Sequence, residues 1–439
     1  MQVRRLVCAL SLGLALAPAA ARAEAPLSLE DAVTLALATN ERAHKAPLRV
    51  EATQGQLERA RAAFLPSLVA TGTGALRSIE DRNGRVLSGG GALTLNQPLL
   101  NLPAFPSYAQ ARHQLESERW GAVQDRRALA FETAQAFLLA LTNERLFEAA
   151  TGRLARAREN QRTADARAKA QLASTNDVTR AIVETTTATR EVAQAQGRLS
   201  RAYLELGFLV GRAVTGGLTA PDRITQTAER SAIRREDAAQ NAEARRPDVR
   251  AAHERTEALR ASAKEPLYRL APIIGASAQI RATLAPIAPD PIFDESLQLN
   301  LTWTIYDAGV RYADRKTRAA QAESQALDEK QLRRSIATDI GVALASLRAA
   351  RESYRISEEA VDAATRNTVE TEILYQQGLA RALEVSDANG RRFDAEVNRA
   401  TAKLAMQQAY LDLRYALGLG PLGDELDAGD GAAAKGGTP

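Results

Sequence analysis

The chain has 439 residues, with 57 basic and 53 acidic side chains interleaved along its length and an aromatic content of only 4%. The near balance of charge excludes the basic surface that nucleic-acid binding requires, and the shortage of aromatic side chains argues against a compact enzyme core. Cys8 is the single cysteine, which excludes an intrachain disulfide.

The first 23 residues have the pattern of a secretory signal peptide. Arg4 and Arg5 precede an apolar run of twelve residues from Leu6 to Ala17, and Ala21-Arg22-Ala23 supplies a cleavage site. The run is too short for a transmembrane helix, which needs about 20 residues. We therefore predict export and a mature chain that begins near Glu24. Lipidation is not expected, because Cys8 lies inside the apolar run and not at the cleavage point.

The rest of the chain is predicted to contain two copies of one unit. Glu30-Asp31-Ala32 recurs as Glu236-Asp237-Ala238, 206 residues later, and Pro66 recurs at the same offset as Pro272. Ala202-Tyr203-Leu204-Glu205-Leu206 recurs as Ala409-Tyr410-Leu411-Asp412-Leu413, at an offset of 207. Ordered matches at an almost constant offset indicate an internal duplication. We assign residues 24–220 to the first structural repeat and 221–420 to the second.

Each repeat is predicted to hold two strands followed by a helical hairpin. The first has strands near 65–77 and 91–99 and a hairpin over 105–211; the second has strands near 271–283 and 296–306 and a hairpin over 308–417. The long helix of the first hairpin would measure roughly 98 Å at 1.5 Å per residue. Such helices exceed a single globular core, so they need neighbours along their length, and oligomerisation is expected. The fold class is α+β, mainly α, and residues 421–439 are predicted to be a disordered tail.

The fourth strand carries the clearest pattern. From Leu297 to Ile305 every second residue is apolar, and Gln298, Asn300, Thr302 and Thr304 alternate with them. This is typical of a membrane barrel strand with one side towards lipid and one towards the lumen. A half-buried strand of a soluble antiparallel sheet gives the same pattern and remains an alternative. Without a predicted second layer to cover the sheet, the membrane is favoured. Four strands cannot close a barrel, which needs about eight, so several protomers would contribute.

Short segments in both repeats carry a family resemblance. They are Leu29-Glu30-Asp31-Ala32, Asn96-Gln97-Pro98-Leu99, Leu172–Val178, Arg246–Ala252, Tyr306-Asp307-Ala308-Gly309 and Tyr375–Val385. Together and in this order, over about Leu27 to Gly420, they resemble the TolC-like outer-membrane efflux factor family. Two positions depart from the pattern: Leu102-Pro103-Ala104 stands where copy two has Gly309, and Tyr268 and Leu270 replace the usual phenylalanine before Pro272.

The resemblance implies a homotrimer with a 12-stranded barrel in the lipid of a Gram-negative outer membrane, continued by a periplasmic α-barrel. Such a protein is a passive exit duct of a tripartite efflux or type I secretion system. It is gated at its periplasmic tip and docks with a periplasmic adaptor and an inner-membrane pump. No catalytic residue, cofactor or metal is implied, and the exported substrate is left open.

The resemblance also implies candidate gate residues at the two hairpin turns. Carried over by position, the acidic constriction corresponds to Glu384 and Asp387, which lie three residues apart on one helix face. The gating contact corresponds to Asp177 opposite Tyr375. Arg381 stands one position after the place where the family's arginine is expected.

The tip itself, which would dock the adaptor, corresponds to Ser174 and Thr175 in the first turn and Gly378 and Leu379 in the second. A simpler interpretation of the three acids is also open. Each lies in the first turn or so of a helix, where a carboxylate favours the helix dipole by about 0.3–1 kcal/mol.

One other function remains as an alternative, a soluble periplasmic coiled-coil adaptor or scaffold. It would be a monomer or hexamer that needs no detergent, although the lipoyl-like all-β module of an adaptor is not visible. An enzyme is not expected: His44, His113 and His253 are isolated, and no nucleophile motif or phosphate loop is found.

Overall fold

The computed structural model describes residues 26–76, 86–215, 217–230, 241–284 and 291–422. The predicted signal peptide at 1–23 and all but the first two residues of the predicted tail at 421–439 lie outside the described residues. None of the helices among the described residues is long and apolar enough to cross a membrane.

The described chain is mainly helical with one small sheet, which confirms the predicted α+β, mainly α class. The helices are α1 (Leu29–Thr39), α2 (Glu41–Ala62), α3 (Ala104–Lys169), α4 (Thr175–Val210), α5 (Asp222–Arg230), α6 (Pro247–Tyr268), α7 (Val310–Gln376) and α8 (Ala382–Ala416). The strands are β1 (Ser67–Leu76), β2 (Leu87–Leu100), β3 (Ile273–Leu284) and β4 (Phe293–Thr302).

The two halves of the chain share one order of elements. Each has a helix of 22 residues (α2, α6), two strands, a helix of 66 or 67 residues (α3, α7) and a helix of 36 or 35 residues (α4, α8). The two shorter helices of each half pack along the long one, and α3 also packs against α6 and α8. The proposed boundary between the two repeats near residue 220 stays a prediction. Residues 231–240, at the start of the second repeat, lie outside the described chain.

The sheet is antiparallel with the strand order β1-β2-β3-β4, so consecutive strands are neighbours. Its register places apolar side chains side by side on one face: Leu68, Leu95, Ala278 and Leu297 are aligned across the four strands. The other face is polar, with Gln279 donating to Thr94 at 3.1 Å and Asn300 donating to Ser277 at 3.1 Å. The apolar face is exposed, because no other element of the described chain covers it.

The fourth strand lies earlier than the predicted span near 296–306. It runs from Phe293 to Thr302, and its last pair joins Thr302 to Ile273. The partner strand cannot be extended past that pair, because Pro272 has no N–H to donate. Trp303 leaves the ladder, and its indole N–H donates to the carbonyl of Leu270 at 3.0 Å.

The second strand is longer than the predicted 91–99, because the glycines before it belong to the ladder rather than to the loop. Gly89, Gly90 and Gly91 pair with β1 on one side and with β3 on the other. A Cβ atom on Gly90 would lie 2.7 Å from the carbonyl oxygen of Ala282. The glycine therefore allows a close approach of β2 and β3 that a side chain would prevent.

The main hydrophobic core lies midway along the long helices and joins both halves of the chain. It is built from α1, the middle of α3, the end of α4, the middle of α7 and the end of α8, and its fully buried side chains include Phe137, Leu138, Leu206, Ile340, Leu347 and Leu411. Away from this core, buried apolar side chains form only small clusters, such as Leu154, Ala157 and Ala188 between α3 and α4.

One buried cation stabilises the edge of this core. The side chain of Arg127 in α3 donates from Nε to the carbonyl of Leu419 at 3.1 Å and also to the carbonyl of Tyr415. Its guanidinium carbon lies 4.3 Å from the centre of the Tyr415 ring. Burial lowers the pKa of Arg127 to about 10, so the group remains charged at neutral pH. It holds the end of α8 and the segment after it against α3.

We predict that Arg127→Met lowers the free energy of unfolding by about 3 kcal/mol, because two buried carbonyls lose a charged donor. The neighbouring Arg126 is exposed, so Arg126→Met is the matched control and should change stability by no more than about 0.5 kcal/mol. Denaturant unfolding in detergent measures both. Equal midpoints for the two variants would contradict this role of Arg127.

Candidate functional site

The two hairpin turns have the same backbone geometry. In the first, Gln171 adopts a left-handed conformation (φ 59°) and the N–H of Leu172 donates to the carbonyl of Arg167 at 2.8 Å. In the second, Gly378 has φ 78° and the N–H of Leu379 donates to the carbonyl of Leu374 at 2.8 Å. Both are Schellman motifs, which end a helix sharply. Each presents one leucine to solvent: Leu172 is 79% exposed and Leu379 is 73% exposed.

The helices that follow the turns begin differently. Ser174 caps α4, with its hydroxyl accepting from the N–H of Asn176, and Asp177 accepts from the N–H of Ser174 at 3.3 Å, which completes a capping box. Thr175 is the first residue of α4. Arg381 occupies the equivalent capping position of α8 and makes no side-chain cap. The geometry therefore supports the simpler interpretation of Asp177 as a helix-capping acid.

A cavity of about 280 Å³ lies between the two hairpins near the turns. Small side chains leave it open, because α3, α4 and α8 contribute alanines at positions 157, 164, 181 and 382. Asp177 and Tyr375, the predicted gating contact, both line this cavity. The structure thus brings the two residues to one site, from opposite hairpins.

An arginine that the sequence did not single out lies against Tyr375. Arg167, near the end of α3, places its guanidinium carbon 4.3 Å from the centre of the Tyr375 ring and donates to the carbonyl of Gln376 at 3.3 Å. Such cation–π contacts contribute about 0.5–1 kcal/mol at exposed sites. Arg167 therefore links the end of one hairpin to the end of the other, whereas Arg381 is exposed at the start of α8.

The two candidate constriction acids lie outside this cavity. Glu384 and Asp387 are both exposed on α8, whereas Val385 and Ala388 of the same turn are buried. Asp387 forms an ion pair of 2.9 Å with Arg391, one turn further along the helix. The sequence placed the two acids correctly on one face of one helix, but it did not identify the cation beside them.

A buried charge cluster joins the hairpins beside the cavity, which Glu184 and Ser386 of the cluster also line. Arg153 of α3 has a side chain only 11% exposed and donates to Glu184 at 2.9 Å and to both carboxylate oxygens of Glu191 at 2.8 Å, both on α4. From α8, the ring of Phe393 lies 4.9 Å from the Arg153 guanidinium, and the Ser386 hydroxyl donates to Glu184 at 3.3 Å. One guanidinium thus holds α3, α4 and α8 together.

Arg156, one turn further along α3, is poorly paired in contrast to Arg153. Arg156 has two nitrogens, Nε and Nη2, that are buried without a hydrogen-bond partner among the described residues. Burial lowers the pKa of Arg156, and the guanidinium of Arg392 lowers it further. Its ion pair with Glu396 is long, at 3.9 Å. The hairpin contact therefore includes a well-paired cation and a poorly paired one, which makes it polar and only partly satisfied.

Four residues of the site were missed by sequence reasoning. Arg153 and Arg167 are each one arginine among many on helix surfaces, and only the packing separates them from the rest. Arg391 could have been found, because it lies four residues after Asp387 on the same helix. Leu172 could have been found, because it lies 207 residues before Leu379, at the offset of the internal repeat.

Comparison with known proteins assigns this architecture to a class. The family model for outer membrane efflux proteins matches residues 32–212 and 238–419, well over half of the chain. No curated protein sequence matches significantly. The fold is shared with solved structures of low sequence identity.

Three of these structures illustrate the similarity. A membrane protein from Pseudomonas aeruginosa is 21% identical, with a TM-score of 0.76, over 91% of this chain and 92% of that one. The open state of the Neisseria gonorrhoeae MtrE outer membrane channel is 20% identical, with a TM-score of 0.76 over 91% of each chain. The Campylobacter jejuni CmeC outer membrane channel is 14% identical, with a TM-score of 0.77, over 92% and 88%.

The paired hairpins and four-stranded sheet therefore define a protomer of the outer-membrane channel class, with a fold similar to TolC. The chain belongs to the outer membrane efflux protein family. It is accordingly a channel protein and not an enzyme.

The equivalent turns generate a first prediction for the site. Gly378→Ala should destabilise the second turn by about 1 kcal/mol, because a left-handed conformation is strained for a residue with a Cβ atom. Amides of the turn should then exchange about fivefold faster by hydrogen–deuterium exchange. Gln171→Gly is the matched reverse change and should slow exchange in the first turn. Unchanged exchange in both variants would show that the strain is not significant.

The charge cluster around Arg153 generates a second prediction for the site. Arg153→Met should destabilise the contact between the hairpins by about 3 kcal/mol, because it leaves two half-buried carboxylates without a cation. Arg162 on the same helix forms an exposed pair with Glu159, so Arg162→Met should cost less than about 1 kcal/mol. Hydrogen exchange in α4 near Glu184 and in α8 near Phe393 measures the loss. Equal protection in the two variants would contradict the prediction.

Proposed function

We propose that this protein is the outer-membrane exit duct of a tripartite efflux or type I secretion system and works as a homotrimer. The observation that carries the proposal is the sheet, whose apolar face is exposed and is covered by no element among the described residues. Leu297, Leu299 and Leu301 are 62–82% exposed in one strand. A face of this kind is stable in contact with lipid. The two strands of ten residues also have the length that a tilted membrane barrel strand needs.

The edges of the sheet support the trimer. β1 and β4 are edge strands of ten residues each, and in lipid every backbone N–H and C=O needs a partner. In a threefold assembly, β4 of each protomer would pair with β1 of the next, which gives a closed barrel of 12 strands. The helical hairpins, roughly 99 Å long at 1.5 Å per residue, would continue it as a periplasmic α-barrel.

The hairpin tips support docking with a periplasmic adaptor. Leu172 and Leu379 are the large exposed apolar residues of the two turns, near Ser174 and Thr175 in the first and next to Gly378 in the second. Paired apolar residues on rigid turns suit contact with a helical partner, since a buried aliphatic side chain contributes about 1.5–3 kcal/mol. An inner-membrane pump would supply the driving force through the adaptor.

Gating is proposed to occur at the same tips. Asp177 and Tyr375 line the cavity between the hairpins, Arg167 bridges their ends, and Glu384 and Asp387 would contribute acidic rings to the constriction. The cavity leaves the hairpins incompletely packed against each other at this end, and regions of this kind open at a lower free energy than a packed core.

The predicted signal peptide at 1–23, outside the described residues, supports export to the periplasm and insertion into the outer membrane without a lipid anchor. Cell fractionation followed by mass determination in detergent tests the proposal. We expect a threefold assembly in the outer membrane. Recovery as a soluble periplasmic monomer would overturn the proposal in favour of the coiled-coil scaffold.

We further predict that a photo-crosslinking amino acid at position 172 or 379, in intact cells, is crosslinked to a periplasmic coiled-coil protein identified by mass spectrometry. The same amino acid at Leu204, which is 75% exposed on α4 but far from the tip, serves as the control and should give no such product. Crosslinks from the tip only to a second copy of this chain would contradict adaptor docking there.

A further inference from the structure

The exposed side of α8 carries a stripe of charged side chains, three acids and one arginine. Glu384, Asp387, Arg391 and Asp394 are all exposed and follow one another at spacings of three, four and three residues. These spacings place the four side chains on one side of the helix. Val385, Ala388 and Asn389 of the same helix are buried and pack into the protomer.

Of the three acids in this stripe, only Asp387 is in an ion pair among the described residues. Asp387 and Arg391 form an ion pair of 2.9 Å whose side chains are 57% and 71% exposed, so both charges face solvent. Glu384 is exposed one turn before them, without an ion pair among the described residues. A pair this exposed contributes little to stability. Its charges nevertheless act on any ion that passes within a Debye length, about 8–10 Å at physiological salt.

We propose that Arg391 is a selectivity-determining residue of the channel, because it compensates the charge of Asp387 at the constriction. The inference rests on the proposed function, in which this side of α8 faces the lumen. The three acids of the stripe would otherwise give three rings of carboxylates and a strong preference for cations. With Arg391 four residues beyond Asp387, the ring of Asp387 side chains is a ring of ion pairs, and Glu384 and Asp394 provide the uncompensated negative charge. The constriction is then less selective for cations than the acids alone would make it.

The neighbouring arginine supplies a matched control. Arg392 is half-buried on the side of α8 and pairs with Glu396 of the same helix at 2.9 Å. It is adjacent in sequence and has the same chemistry, but it lies off the exposed stripe. Removing its charge should therefore leave the field at the constriction largely unchanged.

The test is the reversal potential of the full-length assembly in planar lipid bilayers under a KCl gradient. Arg391→Gln should raise the ratio of K⁺ to Cl⁻ permeability roughly two- to threefold, because each protomer loses one positive charge. Asp387→Asn should lower the ratio by a similar factor, since it leaves Arg391 uncompensated. The double variant Asp387→Asn/Arg391→Gln keeps the net charge of the stripe and should return to the wild-type ratio. Arg391→Lys should also preserve it.

Each outcome is decisive. If Arg391→Gln shifts the ratio no more than Arg392→Gln does, or if the double variant keeps the shift of either single one, the inference is wrong. A structural role alone would lower the thermal midpoint of Arg391→Gln without a change in the permeability ratio. Absence of any wild-type channel current would instead contradict the proposed function. A normal current with an unchanged ratio contradicts only the role of Arg391.

Discussion

The hydrophobic core at the middle of the long helices determines the rest of the structure. Phe137 and Leu138 of α3, Leu206 of α4, Ile340 and Leu347 of α7 and Leu411 of α8 meet there with α1, so both halves of the chain are joined in one buried cluster. From this core the hairpins extend in one direction to the tips, and the chain leads in the other direction to the sheet. The positions of the tips and of the sheet therefore depend on contacts made many residues away in the core. Arg127 holds the end of α8 against α3 at the edge of that core.

The contacts between the hairpins change character along their length. Near the core they are apolar, whereas towards the tips alanines and charged side chains replace the large apolar residues. Small residues let the helices approach closely, which allows Arg153 to reach Glu184 and Glu191 on α4 and the ring of Phe393 on α8. A contact bordered by a cavity is less completely packed than the core. Rigidity near the core and looser packing near the tips would suit the gated duct that we propose.

Prediction succeeded where a local pattern has a single structural meaning. The helices of both hairpins lie within about two residues of their predicted bounds, because long apolar periodicity and turn residues define helix ends locally. The strands were predicted less well. β4 ends at Thr302 although the alternation continues to Tyr306, because a strand extends only as far as its partner, and Pro272 ends the partner. β2 begins at Leu87, since Gly89–Gly91 are paired on both sides, although glycines in sequence favour a loop.

The sequence by itself determined the mainly α class, the two hairpins, the position of their turns and the family resemblance, because these depend on periodicity and on order along the chain. It also placed Asp177 and Tyr375 at the turns and Glu384 and Asp387 on one helix face. Only the tertiary structure decided which charges meet across the bundle. Arg167 covers Tyr375, and Arg153 joins three helices. Arginines are frequent on all these helices, and an ion pair between hairpins depends on distances across the bundle, which no local pattern encodes.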